Sequence, residues 1–192
     1  MNWIKRAMLT TLCCAAASAG SITFTETQNG IGSLGGTPFN NALVTIVLTS
    51  NTSTITGGSG VFFDNGPATV TVAGIGTATF TDTMEAVVNQ TYSDAGISDE
   101  TTNRSMMFDT NAAFGTYDLS TAIGPLSGNA SGNAGLGFST SMGLFVLTDS
   151  LNNPDHPATF TATTLGSVPE PGTLGLLAAG IALFLIRRRV AA

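Results

Sequence analysis

The strongest constraint on the fold is a period of two. Residues 68–73 (ATVTVA) and 77–83 (TATFTDT) alternate apolar and hydroxyl side chains, and Gly74-Ile75-Gly76 joins them. In a strand such alternation sends one kind of side chain to each face. A three-residue loop in which glycine can take left-handed backbone closes the two strands into a hairpin. The same pattern recurs in residues 21–27 (SITFTET), with Ile22 and Phe24 on one face, and in residues 158–165 (ATFTATTL). Residues 42–49 (ALVTIVLT) are more continuously β-branched and predict a central strand buried on both faces. A core strand is expected at residues 144–147, and shorter ones at 61–63, 106–108 and 113–119. The second hairpin strand is expected to extend through residues 84–88.

Between these runs, residues 29–38 (NGIGSLGGTP) and 121–135 are glycine-rich, and 89–105 (NQTYSDAGISDETTNRS) is polar and acidic. All three read as loops, and Asn65-Gly66-Pro67 reads as a turn. No period of 20–50 residues repeats. Eight or more short strands with few helical patterns predict an all-β fold, a β-sandwich or jelly roll, for an exported domain over residues 20–167.

Residues 1–19 have a different character. Lys5 and Arg6 precede an apolar stretch from Ala7 to Ala16, and Ala17-Ser18-Ala19 stands before Gly20. This is the layout of a secretory signal peptide with an A-x-A site, and cleavage is expected between Ala19 and Gly20. Neither Cys13 nor Cys14 has the residues upstream that lipid attachment requires. Both cysteines leave with the signal, so the exported chain is expected to hold together without a disulfide.

Charge narrows the function. In residues 20–167 a single base, Arg104, faces eleven carboxylates, which leaves the domain near −10. Nucleic-acid binding is driven by Lys and Arg, so that class is excluded. His156 is the sole histidine and lies in a turn between Asp155 and Pro157, no G-x-S-x-G motif occurs, and a two-histidine metal site is impossible within one chain. Two carboxylates could serve glycoside hydrolysis, but with eleven acids a chance pair is easy. Trp3 is lost with the signal, leaving Tyr92 and Tyr117 as amphipathic rings, and the phenylalanines read as core. The chain is therefore read as non-catalytic. Asp94, Asp99 and Glu100 form a weak Ca²⁺ candidate, since carboxylates and loop carbonyls suit a hard cation; no EF-hand spacing is present. Asn51, Asn89, Asn103 and Asn129 head N-x-[ST] sequons.

The last 25 residues (168–192) set the topology. Val168-Pro169-Glu170-Pro171-Gly172 precedes the uncharged run TLGLLAAGIALFLI (173–186), and Arg187-Arg188-Arg189 opens the basic tail 187–192. Fourteen helical residues span about 21 Å against a hydrocarbon core of about 30 Å. Gly172 in front and snorkelling arginines behind bring the run close to spanning, so a C-terminal transmembrane helix is expected, with the arginines cytoplasmic. Together the three parts, in this order at the end of the chain, resemble the PEP-CTERM sorting signal of exported proteins in bacteria that make exopolysaccharide. That resemblance implies recognition by an exosortase, a membrane-embedded protease, with cleavage near Pro-Glu-Pro. It implies an inner-membrane precursor that becomes a cell-surface or extracellular-matrix protein in contact with exopolysaccharide. The alternative reading is a carbohydrate- or calcium-binding extracellular β-sandwich module.

Overall fold

The computed structural model describes residues 20–132, 134–148 and 157–165. The signal region, His156 and the whole C-terminal signal lie outside those residues. The described residues form thirteen strands and one short 3-10 turn in a single curled, antiparallel sheet. Among them no helix is long and apolar enough to cross a membrane.

The sheet is built on one long hairpin, β1 (Ser21–Leu34) and β2 (Thr37–Asn51), closed by Gly35 and Gly36. Here the loop expected at residues 29–38 is instead the paired tip of the hairpin. The glycines there answer a steric need rather than marking a loop. A Cβ on Gly32 would lie 1.9 Å from the carbonyl oxygen of Val146 on β12 (Gly143–Leu147), which pairs with this end of β1. The strand at residues 42–49 is central, as expected, but buried on one face only. Val44, Ile46 and Leu48 point inward while Leu43 is exposed.

Beyond β2 comes the hairpin expected from the alternation, β5 (Ala68–Val72) and β6 (Gly76–Thr79). Its second strand stops at Thr79 instead of running on. Phe80 makes one bridge to Thr140 of β11 (Gly137–Thr140), and β11 pairs with β12. Amide N–H groups of Thr81 and Ser141 donate to Ser139 O and Thr79 O. One end of the sheet thus closes as a ring of β1, β2, β5, β6, β11 and β12.

The other half of β1 pairs with β13 (Ala158–Thr164). From there the order runs through β10 (Ile123–Ser131), β9 (Arg104–Thr110), β8 (Asp94–Asp99), β7 (Met84–Asn89), β4 (Val61–Gly66) and β3 (Thr56–Gly58). Two of these, β8 and β10, lie where loops were expected, and residues 112–116 form the 3-10 turn in place of a strand. Asn65-Gly66-Pro67 does not reverse the chain. It carries the backbone from β4 in one half of the sheet directly into β5 in the other. The Thr49 N–H donates to Pro67 O (3.1 Å), and a Cβ on Gly66 would sit 2.1 Å from Thr49 O. This contact brings β4 back against β2 and completes the curl.

The core between the two halves is aromatic at one end. Phe160 of β13 meets Phe24 of β1 at 6.1 Å and Phe114 of the 3-10 turn edge-on at 5.5 Å, with Tyr117 at 6.4 Å. A second cluster, Phe39, Phe80 and Phe145, fills the ring. Each buried phenylalanine contributes about 1.5–3 kcal/mol by leaving water, and the described residues contain no cysteine to add a covalent link.

Candidate functional site

Inside the sheet, β1 breaks its own apolar rule. Its inward positions run Ile22, Phe24, Glu26, Gln28, and the last two are as fully buried as the first two. Glu26 stands in register with Ile46 of β2 and Phe160 of β13. From this wall it faces the opposite half of the sheet, where Asp109 of β9 is also fully buried. Asp109 occupies the seam where β10 changes partner. Residues Ile123 to Gly128 of β10 pair with β13, and Asn129 to Ser131 pair with β9. Gly128 leaves the room: a Cβ there would fall 2.5 Å from Asp109 Oδ1 and 2.0 Å from Thr110 O.

Neither oxygen of Glu26 nor of Asp109 has a well-formed hydrogen bond. Removing a carboxylate from water penalises its charged form. Burial accordingly pushes Asp109 up to about 7, against a weaker pull from the backbone N–H groups of Phe160 and Thr110. Burial also raises Glu26 well above the usual carboxylate range, and the nearby Asp109 charge raises it further. Glu26 is thereby biased toward its protonated form, Asp109 titrates close to neutrality, and both side chains are fully buried.

Three further acids are raised by burial. Asp64 accepts from Ser50 Oγ (2.6 Å) and Thr54 Oγ1 (2.8 Å), Glu85 accepts from Ser98 Oγ (2.8 Å), and Asp94 begins β8. Half-buried Asp118 is the opposite case, held low by the hydroxyl and amide of Ser120.

The structure does not bring Asp94, Asp99 and Glu100 together. Asp94 and Asp99 end opposite sides of β8, about 17 Å apart at ~3.3 Å per residue. Asp99 is engaged by the amide and hydroxyl of Thr102. Among the described residues no group of three or more His, Cys, Asp or Glu is placed to hold a metal. Tyr117 is buried, its hydroxyl donating to Thr121 O (2.9 Å), whereas Tyr92 is exposed. Of the sequon residues, Asn51 and Asn89 use their side-chain oxygens to cap turns, through Ser53 N and Thr91 N. A shallow open depression is lined by Asn65 to Pro67 and Thr81 to Thr83, with Asp82 its one charged group.

The ends of the folded body meet. The Gly20 N–H donates to Thr52 Oγ1 (3.2 Å), the Thr52 N–H donates to Gly20 O (3.0 Å), and the Leu165 N–H donates to Ser21 O (3.0 Å). Leu165, the last of the described residues, therefore lies beside the first residue of the sheet. A family model described as the PEP-CTERM protein-sorting motif matches residues 167–189. The chain carries a PEP-CTERM sorting signal. The match spans Val168 to Pro171, the apolar run and all three arginines 187–189, as the sequence led one to expect. This motif implies an exported, membrane-passing precursor handled by an exosortase-type membrane protease and sorted to the cell surface. No curated protein and no solved structure matches the chain.

Proposed function

We propose that this PEP-CTERM protein is a non-catalytic component of the cell surface or extracellular matrix. It is made as a precursor whose signal peptide is cut after Ala19. Residues 173–186 then hold it in the bilayer, with Arg187 to Arg189 on the cytoplasmic side, until cleavage near Pro169-Glu170-Pro171. In this reading the curled sheet serves as a sandwich-like body that is carried outward intact.

The observation that carries the reading is the junction between sheet and signal. Strand β13 ends at Thr164 and the matched motif begins at residue 167, so almost no linker separates folded body from sorting signal. The protease would cut at the base of a finished domain. The hydrogen bonds of Gly20 to Thr52 support the N-terminal cut, since β1 begins at Ser21, the residue after the one that cleavage would expose. The sealing of Glu26 and Asp109 supports a non-catalytic body.

The test is the intact mass of the exported protein in cells with and without the exosortase. A chain beginning near Gly20 and ending between about Val168 and Thr173, only when the protease is present, is the expected result. A chain ending at Ala192 in both strains would leave a plain membrane anchor in place of a processed signal.

A further inference from the structure

The outward face of the β13–β1–β2–β5–β6 region is tiled with hydroxyls in register. One row crosses six strands: Ser127, Thr159, Thr27, Thr45, Thr71 and Thr77 stand directly opposite one another in turn. A second row beside it runs Thr161, Thr25, Val47, Thr69 and Thr79. All of these side chains are partly or fully exposed. No Asp, Glu, Lys, Arg or His occupies either row, in a domain whose described residues carry nine carboxylates. Glu26, which lies on β1 between Thr25 and Thr27, points to the opposite face.

Neighbouring strands lie about 4.8 Å apart, so the first row offers one hydroxyl at about that interval and the second does so except at Val47. At the two ends of the first row the hydroxyls are already paired, Ser127 with Thr159 at 2.7 Å and Thr71 with Thr77 at 2.8 Å. A hydroxyl has one donor and two acceptor positions, so each pair keeps capacity toward solvent. Every threonine also presents a methyl group.

We propose that this face binds a neutral, extended polysaccharide lying across the strands, each sugar advancing by about one strand spacing. The hydroxyls meet the sugar hydroxyls and the methyls meet the C–H faces of the rings. Charge selects the occupant: an uncharged face on an acidic domain has nothing to attract an anionic polymer, whose carboxylates the remaining surface repels. Shape agrees, because a flexible chain can follow rows that bend with a curled sheet, whereas a rigid planar lattice cannot. Each hydroxyl contact exchanges one water bond for another and is weak alone. Along one polymer the first contact raises the effective concentration for the next, so binding builds on a chain and not on a single sugar.

The proposal concerns the exported body and uses the sorting reading only to bring it to polymer. Its failure leaves the mass measurement above unaffected. The test is the mobility of the full chain, in mild detergent, through native gels containing a dissolved β-1,4-linked neutral glucan or polygalacturonate. Wild type is expected to be retarded by the glucan and not by polygalacturonate. Combining Thr27→Val, Thr45→Val and Thr71→Val keeps shape and β-propensity while removing three hydroxyls, and should weaken retardation at least about tenfold. Should that variant lose its cooperative melt, Val47→Thr, which completes the second row, should strengthen retardation about two- to threefold. Wild-type mobility unchanged by the glucan, equal retardation by polygalacturonate, or a folded triple variant retarded like wild type overturns the assignment. So does an unimproved Val47→Thr where the triple variant unfolds.

Discussion

Replacing Asp109 by asparagine asks whether the core acids set the pH dependence of stability. An unfolded chain releases the Asp109 proton at its ordinary value of 3.8, whereas the folded chain holds it until about 7. Between those values the folded state binds more protons, so stability falls as pH rises. The stabilisation is fully present below 3.8, shrinks through the interval and is gone a little above 7. At ~1.4 kcal/mol per pH unit the interval corresponds to roughly 4 kcal/mol. Asp109 is covered, but it lies at the β9–β10 seam, where water entering on ionisation would soften the cost. A loss of about 2–4 kcal/mol is therefore expected from this one group.

Glu26, Asp64, Glu85 and Asp94 are also raised and add to the fall, while Asp118 is lowered and opposes it slightly. The whole protein should thus be more stable at pH 4 than at pH 8. Asp109→Asn cannot ionise, so its curve should lack the Asp109 share and cross above wild type by pH 8. Urea unfolding followed by far-UV circular dichroism at fixed pH values from 4 to 8 measures this directly. Wild-type stability that is flat or rising over that range, or an asparagine variant that falls as steeply as wild type, would refute the reasoning.

Two substitutions probe the frame around the acids. Gly66→Ala forces a Cβ to 2.1 Å from Thr49 O at the crossing from β4 to β5, where backbone must move. It should cost at least about 2 kcal/mol in urea unfolding, and a variant as stable as wild type would mean that β4 does not close against β2. Phe160→Ala empties the centre of the Phe24, Phe114 and Tyr117 cluster and should cost about 3–5 kcal/mol. A loss under about 1 kcal/mol would show that this cluster does not hold the halves of the sheet together.

Alternation made much of this fold legible, and glycine obscured the rest. The β5–β6 hairpin, the first half of β1 and β13 follow the period-two pattern to within a few residues. The tip of β1–β2 and β10 read as loops because glycine normally punctuates turns. In the structure Gly32 and Gly128 stand where another strand's carbonyl, or Asp109, leaves no space for a side chain. The β8 sequence DAGISD has too few apolar residues to signal a strand, yet Ala95, Gly96 and Ile97 are all buried. The acid pair did leave a trace in SITFTET, for Glu26 shares the parity of Ile22 and Phe24. A carboxylate on the apolar side of an alternating strand is a buried carboxylate. Its partner could not be found the same way, because Asp109 meets Glu26 through the curl of the sheet, a relation that no local pattern encodes.

That curl also bears on how sorting and folding fit together. Strand β13 is the last of the thirteen among the described residues, yet it is central, lying between β1 and β10. Without it the Phe160 cluster is unmade and β10 loses the partner of its first half. The sheet would then stay open along the seam that holds Asp109. The sorting signal begins three residues after β13 ends. On the exported reading the body can close only when the chain has emerged almost to Pro-Glu-Pro. A protease acting there would meet a domain whose closing strand had just been placed, and cleavage before closure would release a sheet still open at its acid pair. On that reading the short interval between β13 and the motif ties completion of the fold to the proposed point of processing.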